Sequence, residues 1–431
     1  MPPRRLRQAA ALILGLVVLA ALAGYAYNLP FVQDHLGWRI EELRASIKYA
    51  ISPPGEVVFT PNPTLAAMVR STLAALSPTP TITSTAGPTS TPAPTATPTV
   101  PPTPIPASVQ LHGVRHEYQK WNNCGPANLA MALSFWNWQG DQRDTAAVLK
   151  PNPRDKNVMP YEMAGFVNDK TSLKAVVRVG GDLDLLKQFI AAGFPVIVEK
   201  GFEGASFPGW MGHYEVITGY NDSSQRFTAQ DSYIMPDLPV PYDEMASNWR
   251  AFNYTYIVIY PPDRESQVMA LLGPQADEEA NYRYAAALAS NEIVAMTGRD
   301  QFFAWYNRGT NLVSLRDYAG AAAAYDSAYQ IDAQLAASDP KHRPWRMLWY
   351  QTGPYFAYFF TGRYADVINL ATQTLVNSAE PALEESWYWR ARAREANGDQ
   401  AGAIDDLRNS LTWHAGFAPS VDELTRLGVS P

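Results

Sequence analysis

Cys124 stands in a sequence context that favours a reactive thiolate. The segment HEYQKWNNCGPANLAMALSFW (116–136) joins an Asn-Asn turn to an apolar-periodic stretch, 127–136, which predicts a helix. The sulfur is therefore expected at a helix N-terminus, where free backbone N–H groups and the helix dipole stabilise a thiolate. Gly125 permits close backbone approach at the turn, and Pro126 fits a first helical turn because no N–H is needed there.

A thiolate nucleophile needs a general base, and the base needs a group that orients it. Of the six histidines, only His213 opens a strand-like run, GHYEVITGY (212–220). The run RFTAQDSY (226–233) reads as the paired strand and ends in Asp231, whose carboxylate would fix the imidazole tautomer. Gln119 precedes Cys124 by five residues. Its amide and the Cys124 backbone N–H would supply the two donors of an oxyanion hole.

These residues stand in an order that resembles the papain-like, bacteriocin-processing (double-glycine-leader) cysteine peptidase family. The resemblance spans residues 109–262. Ser232 follows Asp231 where the family usually has proline, and no transporter domain follows within the sequence, so a leader-peptide substrate is not carried over. The motifs that carry the resemblance are Gln119 with CGPA (124–127), LLKQFIAAGFPVIVE (185–199), GHYEVITGY (212–220) and AQDSY (229–233).

The resemblance implies a role for each matching residue. Cys124 would be the nucleophile and His213 the base. Asp231 would orient the imidazole, and Gln119 would donate to the oxyanion. Each has a plainer alternative, since a single cysteine is often a small buried hydrophobe and an Asp at a strand end often caps a turn.

Other side chains near these motifs invite weaker assignments. Trp210 and Met211, next to His213, are predicted to line a substrate pocket, and Trp121 is assigned to the cleft wall. Packing in the core is the alternative for all three. His112 and His116 have the spacing of a ligand pair, but further ligands do not accompany them, so neither a metal nor another cofactor is predicted.

Composition narrows the possible functions. The chain has 431 residues, which is enough for two domains with connectors. Its net charge of −7 leaves no basic excess for a nucleic-acid partner, so none is predicted. One cysteine excludes an internal disulfide framework and any multi-thiolate metal site.

The first 107 residues are expected to lie outside the globular part. In residues 1–28, three arginines precede the uncharged stretch 9–27, which predicts a single-pass membrane anchor with the remainder extracytoplasmic. The alternative is a signal peptide cleaved near 21–23, which would make the protein secreted. A membrane-proximal helical segment is expected at 29–76. A disordered Pro/Thr linker is expected at 77–107, where it would act as a stalk or as a plain spacer.

The C-terminal third has a repeating helical pattern. Helix–turn–helix pairs are predicted at 302–332, 349–376 and 386–411, with turns at 316–318, 362–364 and 398–400. Their aromatic and alanine spacing resembles tetratricopeptide repeats, which stack into a superhelix with a concave groove. This array, placed at 275–420, would hold a protein partner in its groove or only brace the first domain.

The sequence thus predicts an α+β papain-like cysteine peptidase domain at 108–263, followed by an all-α tetratricopeptide-repeat superhelix. The expected function is hydrolysis of peptide bonds in a peptide or protein substrate by an enzyme anchored in the membrane. Two alternatives remain open. One is a catalytically inactive peptidase-like fold that binds or scaffolds proteins, and the other is an enzyme that transfers the acyl group to an amine.

Overall fold

The computed structural model describes residues 105–203 and 209–431, together with 38–51, 59–61 and a few positions between 13 and 67. Most of the predicted anchor and signal-peptide site, and nearly all of the predicted Pro/Thr linker, lie outside the described residues. Among the helices that are described, none combines the length and the apolar character needed to cross a membrane. Met1–Pro54, which contains helix α1 (Trp38–Ile51), and Gly55–Pro431 are separate compact units.

In the part of the chain that the structure describes, a seven-stranded antiparallel sheet forms the centre of the first half of Gly55–Pro431. Its strand order is β2-β7-β3-β4-β5-β6, and β1 also pairs with β4. The predicted pairing of the runs 212–220 and 226–233 is confirmed, because β4 and β5 are antiparallel neighbours. The strands are β1 (Ser108–Gln110), β2 (Lys174–Arg178), β3 (Val196–Glu203), β4 (Trp210–Asn221), β5 (Arg226–Gln230), β6 (Leu238–Pro241) and β7 (Tyr256–Tyr260).

Helices cover both faces of this sheet, so alternate residues of the central strands enter different cores. In β3, Val196 and Val198 pack into one core, whereas Ile197 packs into the other. This two-residue period is the expected consequence of strand geometry. The helices are α2 (Cys124–Phe135), α3 (Gln142–Leu149) and α4 (Pro160–Lys170) on the side of Ile197, and α5 (Leu183–Ala191), α6 (Tyr242–Arg250) and α7 (Glu265–Leu272) on the opposite side.

The second half is helical, as predicted. Its longer helices are α8 (Glu278–Ala295), α9 (Gly298–Ser314), α10 (Tyr318–Ser338), α11 (Gly353–Phe360), α12 (Tyr364–Asn377), α13 (Glu384–Ala396), α14 (Gln400–Trp413) and α15 (Ala418–Arg426). Short 3-10 helices occur at Pro262–Arg264, Gly273–Ala276, Pro340–His342 and Met347–Trp349.

Three of the turns between these helices contain a residue with a left-handed backbone conformation. Arg316, Gly362 and Gly398 have left-handed backbone conformations, with φ of 62°, 74° and 87°. Asp317 and Asp399 come next and cap the following helices, each accepting a hydrogen bond of 2.9 Å from a glycine N–H three residues later. The three predicted turns are therefore confirmed, while their assignment to tetratricopeptide repeats stays a prediction.

The two halves share one aromatic core. The ring of Trp210 stacks on Phe252, with centroids 5.6 Å apart, and contacts Phe303 of α9 at 5.7 Å. Arg346 donates to the Trp210 carbonyl oxygen at 2.8 Å. The helical half is thus packed directly on the strand that carries the predicted base.

A short upstream segment also enters this core. Phe59 is only 2% exposed, and its ring lies edge-on to Tyr329 with centroids 4.9 Å apart. It also contacts Tyr358, at 6.0 Å. The helical half therefore holds a residue that precedes the predicted linker.

Candidate active site

The turn before α2 places Cys124 as the first residue of the helix, three residues earlier than the apolar pattern indicated. Asn122 has a left-handed φ of 50°, and Asn123 is the N-cap. The side chain of Asn123 and the N–H of Lys120 both donate to Gln142 Oε1 at 2.9 Å, which fixes the turn. The Cys124 thiol therefore lies at a helix N-terminus, where a thiolate is stabilised.

Gly125 is required by close packing beneath that turn. A Cβ atom there would lie 3.1 Å from Cβ of Val158 and 3.7 Å from the ring of Tyr214. A larger residue would therefore press on Val158 and displace either that side chain or the turn that carries Cys124.

His213 and Asp231 meet because β4 and β5 are paired. His213 Nε2 lies 3.1 Å from Asp231 Oδ2, and the two side chains are 3% and 0% exposed. The other oxygen of Asp231 accepts hydrogen bonds from the N–H groups of Tyr233 and Ile234, at 2.7 and 2.8 Å. The imidazole also interacts with the Cys124 thiol and lowers its pKa. The three predicted side chains are thus brought together in one series.

The electrostatics of this series favour a charged sulfur. Burial opposes ionisation of Cys124, but the hydrogen bond and charge of His213 outweigh it and hold the thiol pKa below its ordinary value. Burial alone would lower the pKa of His213, whereas the Asp231 charge raises it to about 10. The His213 charge likewise keeps the pKa of Asp231 well below its usual range despite burial. Both shifts therefore favour the thiolate and imidazolium forms of the pair.

Gln119 is joined to the segment after β5 through Ser232, the residue that departs from the family pattern. Ser232 Oγ donates to Gln119 Oε1 at 2.8 Å and accepts from Asn128 Nδ2 at 2.9 Å. The Gln119 backbone N–H also donates to the Ser232 carbonyl oxygen, at 2.8 Å. Because its oxygen is engaged, the Gln119 amide nitrogen is the atom left to donate elsewhere.

His116 also has a structural contact here. Its Nε2 lies 2.9 Å from the carbonyl oxygen of Asp231, so the imidazole supports the chain beside the series. His112 is exposed on the preceding loop.

The family model described as the Peptidase_C39 like family matches residues 104–257. The region is called the C39-like domain after this similarity. The matched range contains Gln119 and all three residues of the series. A comparison with curated proteins found no match.

Solved structures similar to the C39-like domain include three cysteine peptidases or peptidase-like proteins. One, described as a C39-like peptidase from Bacillus anthracis, is 18% identical, with 35% of this chain and 96% of that chain covered and a TM-score of 0.29. A double glycine motif protease from an AMS/PCAT transporter, solved in complex with the leader peptide, is 16% identical. The match covers 36% of this chain and 97% of that chain, with a TM-score of 0.27. Xylellain, a cysteine protease from Xylella fastidiosa, is 17% identical. The match covers 36% of this chain and 87% of that chain, with a TM-score of 0.24.

The C39-like domain contains a buried ion pair near the Asp231 carboxylate that sequence patterns did not reveal. Lys200 Nζ is 2.7 Å from Glu215 Oε2, and these side chains are 4% and 0% exposed. Lys200 is the register partner of His213, and its positive charge helps to lower the pKa of Asp231. The sequence signal was available, since charged residues are rarely fully buried and VIVEKGF (196–202) places two in an apolar run.

The three residues predicted to contact substrate differ in how far they are buried. Trp210 is 2% exposed and enclosed by aromatic rings, so its predicted place in an open substrate pocket is wrong. The helical half covers this ring, and the local sequence could not show that cover. Met211 and Trp121 are half-buried, and their roles stay predictions.

The helical half supplies one side chain next to the site. Tyr350 is 5% exposed, and a Cβ atom at Gly212 would lie 2.9 Å from its ring. Burial raises the pKa of Tyr350, and the negative charge of Cys124 raises it further. Tyr350 is distant in sequence and lies in a region interpreted as a scaffold, so no sequence signal indicated this position.

Proposed function

We propose that the chain is a cysteine peptidase that hydrolyses peptide bonds through Cys124, His213 and Asp231. One observation carries the proposal. A carboxylate is hydrogen-bonded to an imidazole, and the imidazole interacts with a thiol at a helix N-terminus. The shifts favour the charges that these roles require, since the pKa of the thiol is lowered and that of the imidazole is raised.

The reaction follows from these charges. The Cys124 thiolate attacks the peptide carbonyl carbon, and the carbonyl oxygen becomes an oxyanion. The Gln119 amide and the Cys124 backbone N–H are the donors proposed to stabilise it. Protonated His213 gives its proton to the leaving amine as the carbon–nitrogen bond breaks. Water then attacks the thioester and gives a proton to His213, and a second tetrahedral collapse releases the carboxylic acid.

Loss of the Gln119 amide is expected to slow turnover by a defined factor. Removing one oxyanion donor from a comparable site costs about 2.7–4 kcal/mol, which is about 10²–10³-fold in kcat. Gln119→Ala is therefore expected to slow turnover by that factor while the domain stays folded. A folded variant with undiminished turnover would remove Gln119 from the mechanism.

The cellular setting is also a proposal. The arginines before the uncharged stretch 9–27 favour a single-pass anchor with the bulk of the chain outside the cytoplasm. The recurring helix–turn–helix units are proposed to be tetratricopeptide-like and to bind a protein partner. Protease protection of membrane vesicles tests the topology, because the proposed orientation leaves the C39-like domain on only one side.

The catalytic proposal is tested with the full-length chain in detergent micelles. The chain is incubated with a peptide library, with and without an added amine, and products are identified by mass spectrometry. Cleavage that is lost in Cys124→Ala supports the proposal. Ser134→Ala is the matched control, since Ser134 is buried at the far end of α2.

Two results would contradict hydrolysis. Products that carry the added amine would indicate transfer. Absence of any product, together with a Cys124 thiol that iodoacetamide alkylates no faster at pH 6 than in His213→Ala, would favour the inactive binding fold.

A further inference from the structure

Three ionisable side chains, none of them part of the proposed triad, come together where the C39-like domain meets the helical half. Asp155 lies in the loop after α3, Glu384 is the first residue of α13, and His414 follows α14. One ligand atom from each lies within 4.8 Å of the other two. A carboxylate, a second carboxylate and an imidazole are thus grouped although they are far apart in sequence.

The two carboxylates are buried with little to neutralise them. Asp155 and Glu384 are each 3% exposed. Among the described residues, the one ion pair of Glu384 is with His414, whose Nδ1 lies 2.8 Å from Glu384 Oε1. Asp155 accepts a hydrogen bond from the Lys156 N–H but has no ion-pair partner within 4 Å in the described part of the chain. Both acids therefore point into the cluster without a full counter-charge.

The surroundings add negative charge. Glu162 and Glu385 add negative charge that interacts unfavourably with these carboxylates. Lys150 and His414 supply the opposing positive charge at Asp155. Lys150 is partly committed elsewhere, since its Nζ donates to the Asn122 carbonyl oxygen at 2.7 Å. Buried carboxylates so arranged require a bound cation or a proton.

We propose that Asp155, Glu384 and His414 bind a divalent first-row transition-metal ion. Carboxylate oxygen and imidazole nitrogen together suit such ions, whereas Mg²⁺ and Ca²⁺ prefer oxygen ligands alone. Ligand atoms on opposite sides of an ion at about 2.0–2.4 Å lie up to about 4.8 Å apart, which matches the cluster. The ion would join a loop of the C39-like domain to two helices of the second half.

The imidazole is already held in place for this role. The ring of His414 contacts Phe417, with centroids 5.5 Å apart, and its Nδ1 faces Glu384. Binding would replace the hydrogen bond between them by two metal–ligand bonds. The proposed site is structural, because it tethers the two halves and leaves Cys124 to the proposed reaction.

Mn²⁺ is the probe for the test, by isothermal titration calorimetry on full-length Cys124→Ala protein. That background removes the thiolate, which would otherwise offer a competing site with His213. One ion per chain is expected. In the same background, Asp155→Asn and His414→Gln are each expected to weaken Mn²⁺ binding at least tenfold.

His342→Gln is the matched control. His342 Nδ1 lies 2.8 Å from Asp339 and its Nε2 lies 3.7 Å from Glu203, but this imidazole is 40% exposed. Its substitution is expected to leave Mn²⁺ binding unchanged. Equal affinity in the parent and in both cluster variants would overturn the proposal, as would absence of binding by the parent with Mn²⁺ and with Zn²⁺.

The Tm of the parent protein provides a test that does not depend on whether the variants fold. Because an ion that binds only the folded chain stabilises it by mass action, saturating Mn²⁺ is expected to raise the Tm of the parent. Excess EDTA should reverse the rise. A Tm that does not move would contradict the site even if Asp155→Asn or His414→Gln failed to fold.

Discussion

Ser232→Ala probes whether a positioning hydroxyl controls the proposed oxyanion hole. The Ser232 hydroxyl accepts from Asn128 Nδ2 and donates to Gln119 Oε1, at 2.9 and 2.8 Å. Removing it leaves the Gln119 backbone bonded to the Ser232 carbonyl oxygen but frees the side-chain amide. The donor would remain present, yet it would no longer be held in one orientation.

The size of the effect follows from the freedom that the amide regains. Fixing a glutamine side chain costs up to about 1.5–2 kcal/mol of rotamer entropy. At about 1.36 kcal/mol for each factor of ten, that corresponds to a loss of about 10–30-fold in kcat. The loss is smaller than the 10²–10³-fold expected when the donor itself is removed. KM should change little, because the oxyanion exists only in the transition state.

The assay is a double-mutant cycle on a peptide found to be cleaved. If Ser232 acts through Gln119, then Gln119→Ala combined with Ser232→Ala should be no slower than Gln119→Ala alone. Ser134→Ala is the control for losing a buried serine, since Ser134 Oγ donates to the Met131 carbonyl oxygen within α2. It should lower stability by about 1 kcal/mol and leave kcat unchanged.

Two outcomes would refute this reasoning. Multiplicative losses in the double variant would show that Ser232 and Gln119 act independently. A folded Ser232→Ala protein with wild-type kcat would show that the amide needs no hydroxyl to hold it.

The remaining predictions concern charge, packing and capping. Asp231→Asn removes the charge that raises the pKa of His213 to about 10, so the basic limb of the kcat/KM profile should move at least one pH unit lower. An unmoved limb would exclude His213 as the titrating acid. Trp210→Ala should lower the free energy of unfolding in urea by about 3–5 kcal/mol, whereas a ring in an open pocket would cost far less. Asp399→Ala should cost about 1 kcal/mol through its cap and the exposed Asp405→Ala almost nothing, and equal Tm values would contradict the cap.

Local patterns predicted the parts of the site that lie on single elements. The apolar period placed Cys124 at a helix N-terminus, because a helix must begin near the end of an irregular turn. Two adjacent strand-like runs placed His213 near Asp231, because antiparallel neighbours bring their ends together. These inferences needed only contacts between elements that are close in sequence.

The contacts that failed prediction join distant segments. Trp210 lies beside His213 in sequence, but α9 and Tyr350 cover its ring, and a strand's two-residue period does not reveal which partner covers each face. Ser232 was visible only as a departure from a family pattern. Its role depends on a hydrogen bond to Gln119, 113 residues away.

Phe59 changes what the Pro/Thr-rich tract can do. Phe59 and Ile105 both belong to Gly55–Pro431, and Phe59 is anchored among Tyr329 and Tyr358. The described residues on both sides of the tract, Phe59 and Ile105, thus belong to the same compact unit. For a chain segment held at both ends, the closure entropy changes by only about 0.6 kcal/mol when its length is doubled or halved. A change in the length of this tract is therefore expected to leave the packing of Phe59 unchanged.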